Sequence, residues 1–162
     1  MSKAKHHIPE GQRSVTPYLV VENALETIAF YQNAFGAELR VRGPGATPES
    51  TMHAELRIGD SAVFLTDMVG GPAAVRPPST AGTTVVIHLF VPDTDAVFAQ
   101  ALAAGATALM PPMDMMWGDR YCQVVDPFGH AWGLATHKED VSLEEIERRS
   151  KAFFAQMGAG QA

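Results

Sequence analysis

Met52-His-Ala-Glu-Leu-Arg-Ile-Gly-Asp-Ser-Ala-Val-Phe-Leu-Thr66 is two alternating runs divided by a Gly-Asp dipeptide. A two-residue turn at Gly59-Asp60 makes the pair an antiparallel hairpin. Such a turn sets Ile58 opposite Ser61, Glu55 opposite Phe64 and His53 opposite Thr66. Residues paired across a hairpin share a face, and successive residues of a strand alternate faces. His53, Glu55 and Arg57 therefore lie on the side of Phe64, whereas Ala54, Leu56, Val63 and Leu65 lie on the other. The second set is wholly apolar and reads as the buried side. The first mixes polar and aromatic groups.

Upstream of the hairpin, Val15–Val21 is a short β-rich run ending just before Asn23. Asn23 with Glu26 forms a capping box. Leu25, Ile28, Gln32 and Phe35, with Ala29 alongside, follow at helical spacing, and Gly36 supplies the stop. Ala37–Arg42 reads as a strand, and Gly43–Pro48 breaks the chain. The unit is βαβββ. Downstream, residues 68–83 are rich in Gly, Pro, Ala and Ser and read as a linker. The pattern then recurs: a strand over Thr84–Val91, a helix capped by Asp93 or Thr94 and stopped by Gly105, and a strand over Ala106–Met110. An irregular Met-rich loop follows over Pro111–Gly118. Strands Arg120–Val125 and Ala131–Thr136 then meet at Asp126-Pro-Phe-Gly129. Tyr18–Val21 superposes on His88–Val91, which makes an internal repeat of about 70 residues. The expected layout is an arm over 1–13, modules over 14–67 and 84–137, the linker between them, and a helical tail over 138–162. In the tail, Ser142 and Glu145 form a second capping box. Ile146, Phe153, Phe154 and Met157 make an apolar stripe, which suits a second copy of the chain as partner.

Twelve Lys and Arg stand against eighteen Asp and Glu in 162 residues, so the chain is acidic and has no basic run. It lacks the electrostatic footprint of a nucleic-acid binder. No apolar stretch approaches the ~20 residues that cross a bilayer, and no secretory pattern follows the first residues. Cys122 is the only cysteine, which excludes an intrachain disulfide and a cysteine zinc site. A cytoplasmic protein without membrane or nucleic-acid partners is expected.

Paired βαβββ modules carrying Thr16-Pro-Tyr-Leu-Val, Phe30-Tyr31-x-x-Ala34-Phe-Gly-Ala37, His53-Ala-Glu-Leu-Arg-Ile-Gly-Asp60, Trp117-Gly-Asp-Arg-Tyr121 and Asp126-Pro-Phe-Gly-His-x-Trp132 resemble the vicinal oxygen chelate superfamily. This superfamily includes glyoxalase I, bleomycin-resistance proteins and extradiol dioxygenases, and the pieces look closest to its PhnB-like branch. The resemblance covers roughly residues 14–140. It implies an α+β fold of two curved sheets, each with a covering helix, closing a cup within or between subunits of a dimer. It also implies that metal-using relatives draw ligands from the first and last strand of each module. Carried onto this chain, those positions are Thr16, Phe64, Val86 and Gly133, none of them a usual nitrogen or carboxylate ligand. No metal and no other cofactor is therefore expected.

The resemblance puts Thr16, Phe64 and Val86 on the cup side, and face alternation then gathers Tyr18, His53, Glu55, Phe64, His88 and Phe90 there. Trp117 and Arg120 enter from the loop ahead of the next strand. Apolar walls with a few placed polar groups suit a small-molecule ligand. Trp117 can stack on a planar group or cap the core. Arg120 can meet an anion or bridge to Asp119 or Asp126. Met110, Met113, Met115 and Met116 suit an adaptable wall or a filled core. His130 and His137 read as structural or solvent-facing. The expected function is metal-free small-molecule binding. The alternative is a lyase, isomerase or dioxygenase that uses a His/Glu acid–base pair or a shifted metal on His53, Glu55 and His88.

Overall fold

The structure is a computed structural model that describes residues 6–68 and 82–159, without the side chains of 156–159. The first five residues of the arm, nearly all of the expected linker and the Met157 side chain lie outside the described residues. Eleven elements follow in chain order. They are β1 (Tyr18–Val20), α1 (Ala24–Phe35), β2 (Glu38–Pro44), β3 (Thr51–Ile58), β4 (Ser61–Thr66), β5 (Val86–Phe90), α2 (Thr94–Ala104), β6 (Thr107–Asp114), β7 (Asp119–Val125), β8 (Ala131–His137) and α3 (Leu143–Ala159).

The strands form two four-stranded sheets of the same topology, β1-β4-β3-β2 and β5-β8-β7-β6. In each, the first strand runs parallel to the last and the others pair antiparallel. The register expected from the Gly59-Asp60 turn is present, with Glu55 opposite Phe64 and Ile58 opposite Ser61. Ala54, Leu56, Val63 and Leu65 are all buried.

Asn23 caps α1 by accepting from the Glu26 amide at 3.2 Å, and Asp93 caps α2 by accepting from the Ala96 amide at 3.0 Å. Gly36 ends α1 in the left-handed conformation, where a Cβ would be strained. Two sequence readings need correction. The strand read over Ala106–Met110 continues through Pro111 and Pro112 to Asp114. Prolines are tolerated there because β6 is an edge strand with register shifts on either side of Met110. The inner face of α1 is also rotated from the stripe of Leu25 and Gln32, both of which are exposed. Ala24, Thr27, Ile28, Phe30, Tyr31 and Ala34 are the buried residues.

That rotation follows from how the modules pack. α1 and α2 lie against each other, and the Gln100 amide of α2 donates to the carbonyls of Asn33 and Ala34 at 2.7 and 3.1 Å. Trp132, on the helix side of the second sheet, packs on Tyr31 and Phe35 of α1 with ring centroids 5.2 and 4.6 Å away. Phe30 meets Phe128 at 6.0 Å. Each such pair adds about 0.5–1.5 kcal/mol beyond its buried area. The Tyr31 hydroxyl donates to buried Asp126 at 2.7 Å and ties the modules together. Both sheets thus turn their apolar faces to one shared helical layer, and their other faces turn away from it. Among the described residues, no helix is long and apolar enough to cross a membrane.

Candidate functional site

The outward face of the first sheet carries Tyr18, His53, Glu55 and Phe64. Their rings meet edge to face, with His53 4.9 Å from Phe64 and 5.5 Å from Tyr18. His53 Nε2 lies 3.3 Å from Glu55 Oε1, and His53 Nδ1 lies 3.2 Å from Tyr18 Oη. The arm is fastened at its end across this face. Gln12 Nε2 donates to Glu55 Oε2 at 2.9 Å, and Arg57 donates to the Gly11 carbonyl at 3.1 Å.

The outward face of the second sheet carries His88, Phe90 and Tyr121, with Trp117 at its rim. His88 stacks on Tyr121 at 5.6 Å with planes 9° apart, Phe90 lies 4.7 Å from His88, and Trp117 lies 6.0 Å from Tyr121. Gln123 donates to the Tyr121 hydroxyl at 2.8 Å. The indole N–H of Trp117 donates to buried Asp119 at 2.9 Å, and the other oxygen of Asp119 meets His137 Nδ1 at 2.8 Å. His137 Nε2 faces Asp140 at 3.1 Å. These two carboxylates, Asp119 foremost, raise the His137 pKa above the usual imidazole value.

Of the eight residues expected at the site, the structure therefore gathers Tyr18, His53, Glu55 and Phe64 on one wall. His88, Phe90 and Trp117 come together on a second wall. Tyr18 and His88 also border a trough of about 770 Å³ between the free edges of β1 and β5. Arg120 belongs to neither wall. The register puts it on the helix side of β7, where it grips Asp95 through two bonds of 2.7 Å and reaches Asp114 at 3.3 Å. Its carboxylate partners are thus neither Asp119 nor Asp126. Tyr121 and Gln123 went unread, although the signal was present. The Asp126–Gly129 turn sets Gln123 opposite Gly133 and Tyr121 opposite Ala135, by the same pairing used for the first hairpin. Asp119 and Gln12 carry no sequence signal, since their roles arise from contacts across the fold.

The donor set does not fit the metal of the metal-using relatives. Thr16, Phe64, Val86 and Gly133 bring no imidazole and no carboxylate. The last position is also covered, because a Cβ on Gly133 would sit 2.5 Å from the Tyr121 hydroxyl. The alternative trio of His53, Glu55 and His88 is divided between the two walls. Among the described residues, no group of three His, Cys, Asp or Glu side chains is placed to hold a metal ion.

The family model described as Glyoxalase/Bleomycin resistance protein/Dioxygenase superfamily matches residues 11–134. The chain belongs to this superfamily. An uncharacterised protein of Mycobacterium tuberculosis is 45% identical over 139 residues, spanning 83% of this chain and 80% of its own. TioX from Micromonospora sp. ML1 is 29% identical with a TM-score of 0.61, over 77% of this chain and 98% of its own. The PhnB protein from Bacillus cereus shares the fold at 19% identity, with a TM-score of 0.60 over 76% of this chain and 99% of its own. The superfamily and its glyoxalase-type α+β architecture match the resemblance read from the sequence motifs.

Proposed function

We propose that this member of the glyoxalase/bleomycin resistance superfamily binds a small organic molecule without a metal, between two walls supplied by different copies of the chain. The observation that carries this reading is the pair of outward faces rich in aromatic and polar groups, each with rings that stand exposed among the described residues. Tyr18 is 52% exposed and Phe90 65% exposed. Exposed rings gathered on one face are costly in water, and a few polar groups among aromatics give orientation to a bound ligand. A two-fold pair brings the Tyr18–His53–Glu55–Phe64 face of one copy over the His88–Phe90–Tyr121–Trp117 face of the other. Trp117 and the exposed ring of His88 then offer flat surfaces to a planar group. On this reading the protein acts as a cytoplasmic homodimer.

Titration of the full chain with 8-anilinonaphthalene-1-sulfonate, a planar aromatic probe, tests this directly. Saturable binding is expected, weakened by Phe64→Ala and by Trp117→Ala alike. Binding sensitive to only one of the two walls would reject a shared site, and no saturable binding would reject the pocket.

A further inference from the structure

We propose that Tyr18, His53 and Glu55 form a proton relay whose working end is the Tyr18 phenol. The proposal rests on the reading that the outward face of the first sheet is a ligand wall, and it gives that wall an acid–base chemistry. The three side chains are joined end to end: Glu55 Oε1 to His53 Nε2 at 3.3 Å, and His53 Nδ1 to Tyr18 Oη at 3.2 Å. Chemistry fixes the direction of each bond. An ionised carboxylate only accepts, so His53 Nε2 carries a proton and donates it to Glu55. A neutral imidazole then has its lone pair on Nδ1, so Tyr18 is the donor to His53. The alternative acceptor for the phenol, the Met52 carbonyl, is more distant at 3.4 Å.

The chain of groups is held from behind. Gln12 occupies the second oxygen of Glu55 at 2.9 Å, and Phe64 packs edge-on against both His53 and Tyr18. Glu55 and His53 are both partly shielded, with side chains 27% and 31% exposed, whereas Tyr18 is the most open of the three. A shielded carboxylate, an oriented imidazole and an accessible hydroxyl reproduce the order of parts in a hydroxyl activated by an adjacent base.

The ligand class that uses such a device carries a weakly acidic proton on oxygen, sulfur or carbon. As that bond breaks, its proton forms a new bond to Tyr18 Oη, and the electron pair stays on the ligand. The original phenol proton moves to His53 Nδ1. The products are a ligand anion, a neutral tyrosine and an imidazolium beside the Glu55 carboxylate. The step is reversible and needs no oxidant, metal or second substrate.

The relay is tested without knowing the ligand, through the reactivity of the phenol itself. The chain has three tyrosines, and Tyr31 and Tyr121 are buried. The full chain is acetylated with N-acetylimidazole, the rate at Tyr18 is followed by peptide mass spectrometry, and hydroxyl-radical footprinting of Tyr18 corrects for exposure. His53→Gln is expected to lower the corrected rate roughly a hundredfold, the low end of general-base effects, and Glu55→Gln to lower it less. A corrected fall smaller than about tenfold for His53→Gln would overturn the proposal. Nitrogen-15 NMR of the His53 ring gives a second, independent reading that needs no variant. The Nε2–H tautomer is expected, and the Nδ1–H tautomer would overturn the relay. Neither readout depends on the probe titration above, so the relay and the shared pocket can fail separately.

Discussion

Tyr31 and Asp126 meet across the two modules, and their environment sets both ionisations. Burial, then the nearby Asp126 charge, raises the Tyr31 phenol well above its ordinary value. Burial also pushes the Asp126 carboxyl up, but donors from His130, Tyr31 and Trp132 outweigh it and hold the group below the usual carboxylate range. Tyr31→Phe leaves the ring and removes one donor to a buried charge. It is expected to cost about 1.5–3 kcal/mol in urea unfolding, with the denaturant slope unchanged. Because Asp126 is depressed in the folded state, its contribution to stability is present above its unfolded pKa and is lost as pH falls through the folded one. Acid unfolding of Tyr31→Phe should accordingly begin at higher pH. His137 has the opposite sign. Its folded pKa is raised, so its contribution is complete below the ordinary imidazole value and fades as pH rises through the folded one. A proton NMR titration should find His137 above the ordinary value, and Asp119→Asn should bring it down. An unmoved midpoint would mean that the Asp119 contact does not set the charge that steadies Trp117.

The tail helix α3 shows how an element can be legible in sequence while its destination is not. The Ser142 hydroxyl caps it by accepting from the Glu145 amide at 3.3 Å. Glu145 itself turns to Arg148 and Arg149, which pull its carboxyl down to about 2. Ile146 and Phe153 are partly buried, whereas Phe154 is 64% exposed, so part of the apolar stripe is left open among the described residues. The lead-in to α3 is anchored where the amides of Lys138 and Glu139 both donate to the Gly118 carbonyl at 3.0 Å. Gly118 has a φ of +99°, and a Cβ there would collide with the Glu139 backbone. Gly118→Ala should therefore dislodge the tail and weaken the proposed dimer, as removal of residues 141–162 should. Sedimentation of both variants against the full chain checks this. A dimer unaffected by either change would place the interface on the sheets alone.

For the whole molecule, the expected state is a metal-free homodimer. Elemental analysis of untagged protein should find no stoichiometric zinc, nickel, manganese or iron. Near one equivalent per chain, lost on His88→Ala, would instead establish a shifted metal site. Sedimentation showing a monomer at micromolar concentration would remove the shared pocket. Much of the architecture is local and was therefore readable. Turn chemistry at Gly59-Asp60 set the register of the first hairpin, caps at Asn23 and Asp93 began the first two helices, and repetition of the pattern gave two like sheets. The same register placed His53, Glu55 and Phe64 on one face, because side-chain direction in a strand follows from pairing alone, and Tyr18 joins them through the parallel pairing of β1 with β4. Where the tertiary structure decided, the cause lay in contacts between distant segments. Packing of α1 against Trp132 rotated its buried face away from the periodic stripe. The register of β7 puts Arg120 on the helix side, and there Asp95, 25 residues away in sequence, takes up its guanidinium. The shared helical layer turned the two polar faces outward, so that the described residues carry both walls of the proposed site on separate faces. Local propensity and pairing are properties of neighbouring residues, but which sheet a helix serves, and which face is left for a partner, depend on the packing of the entire chain.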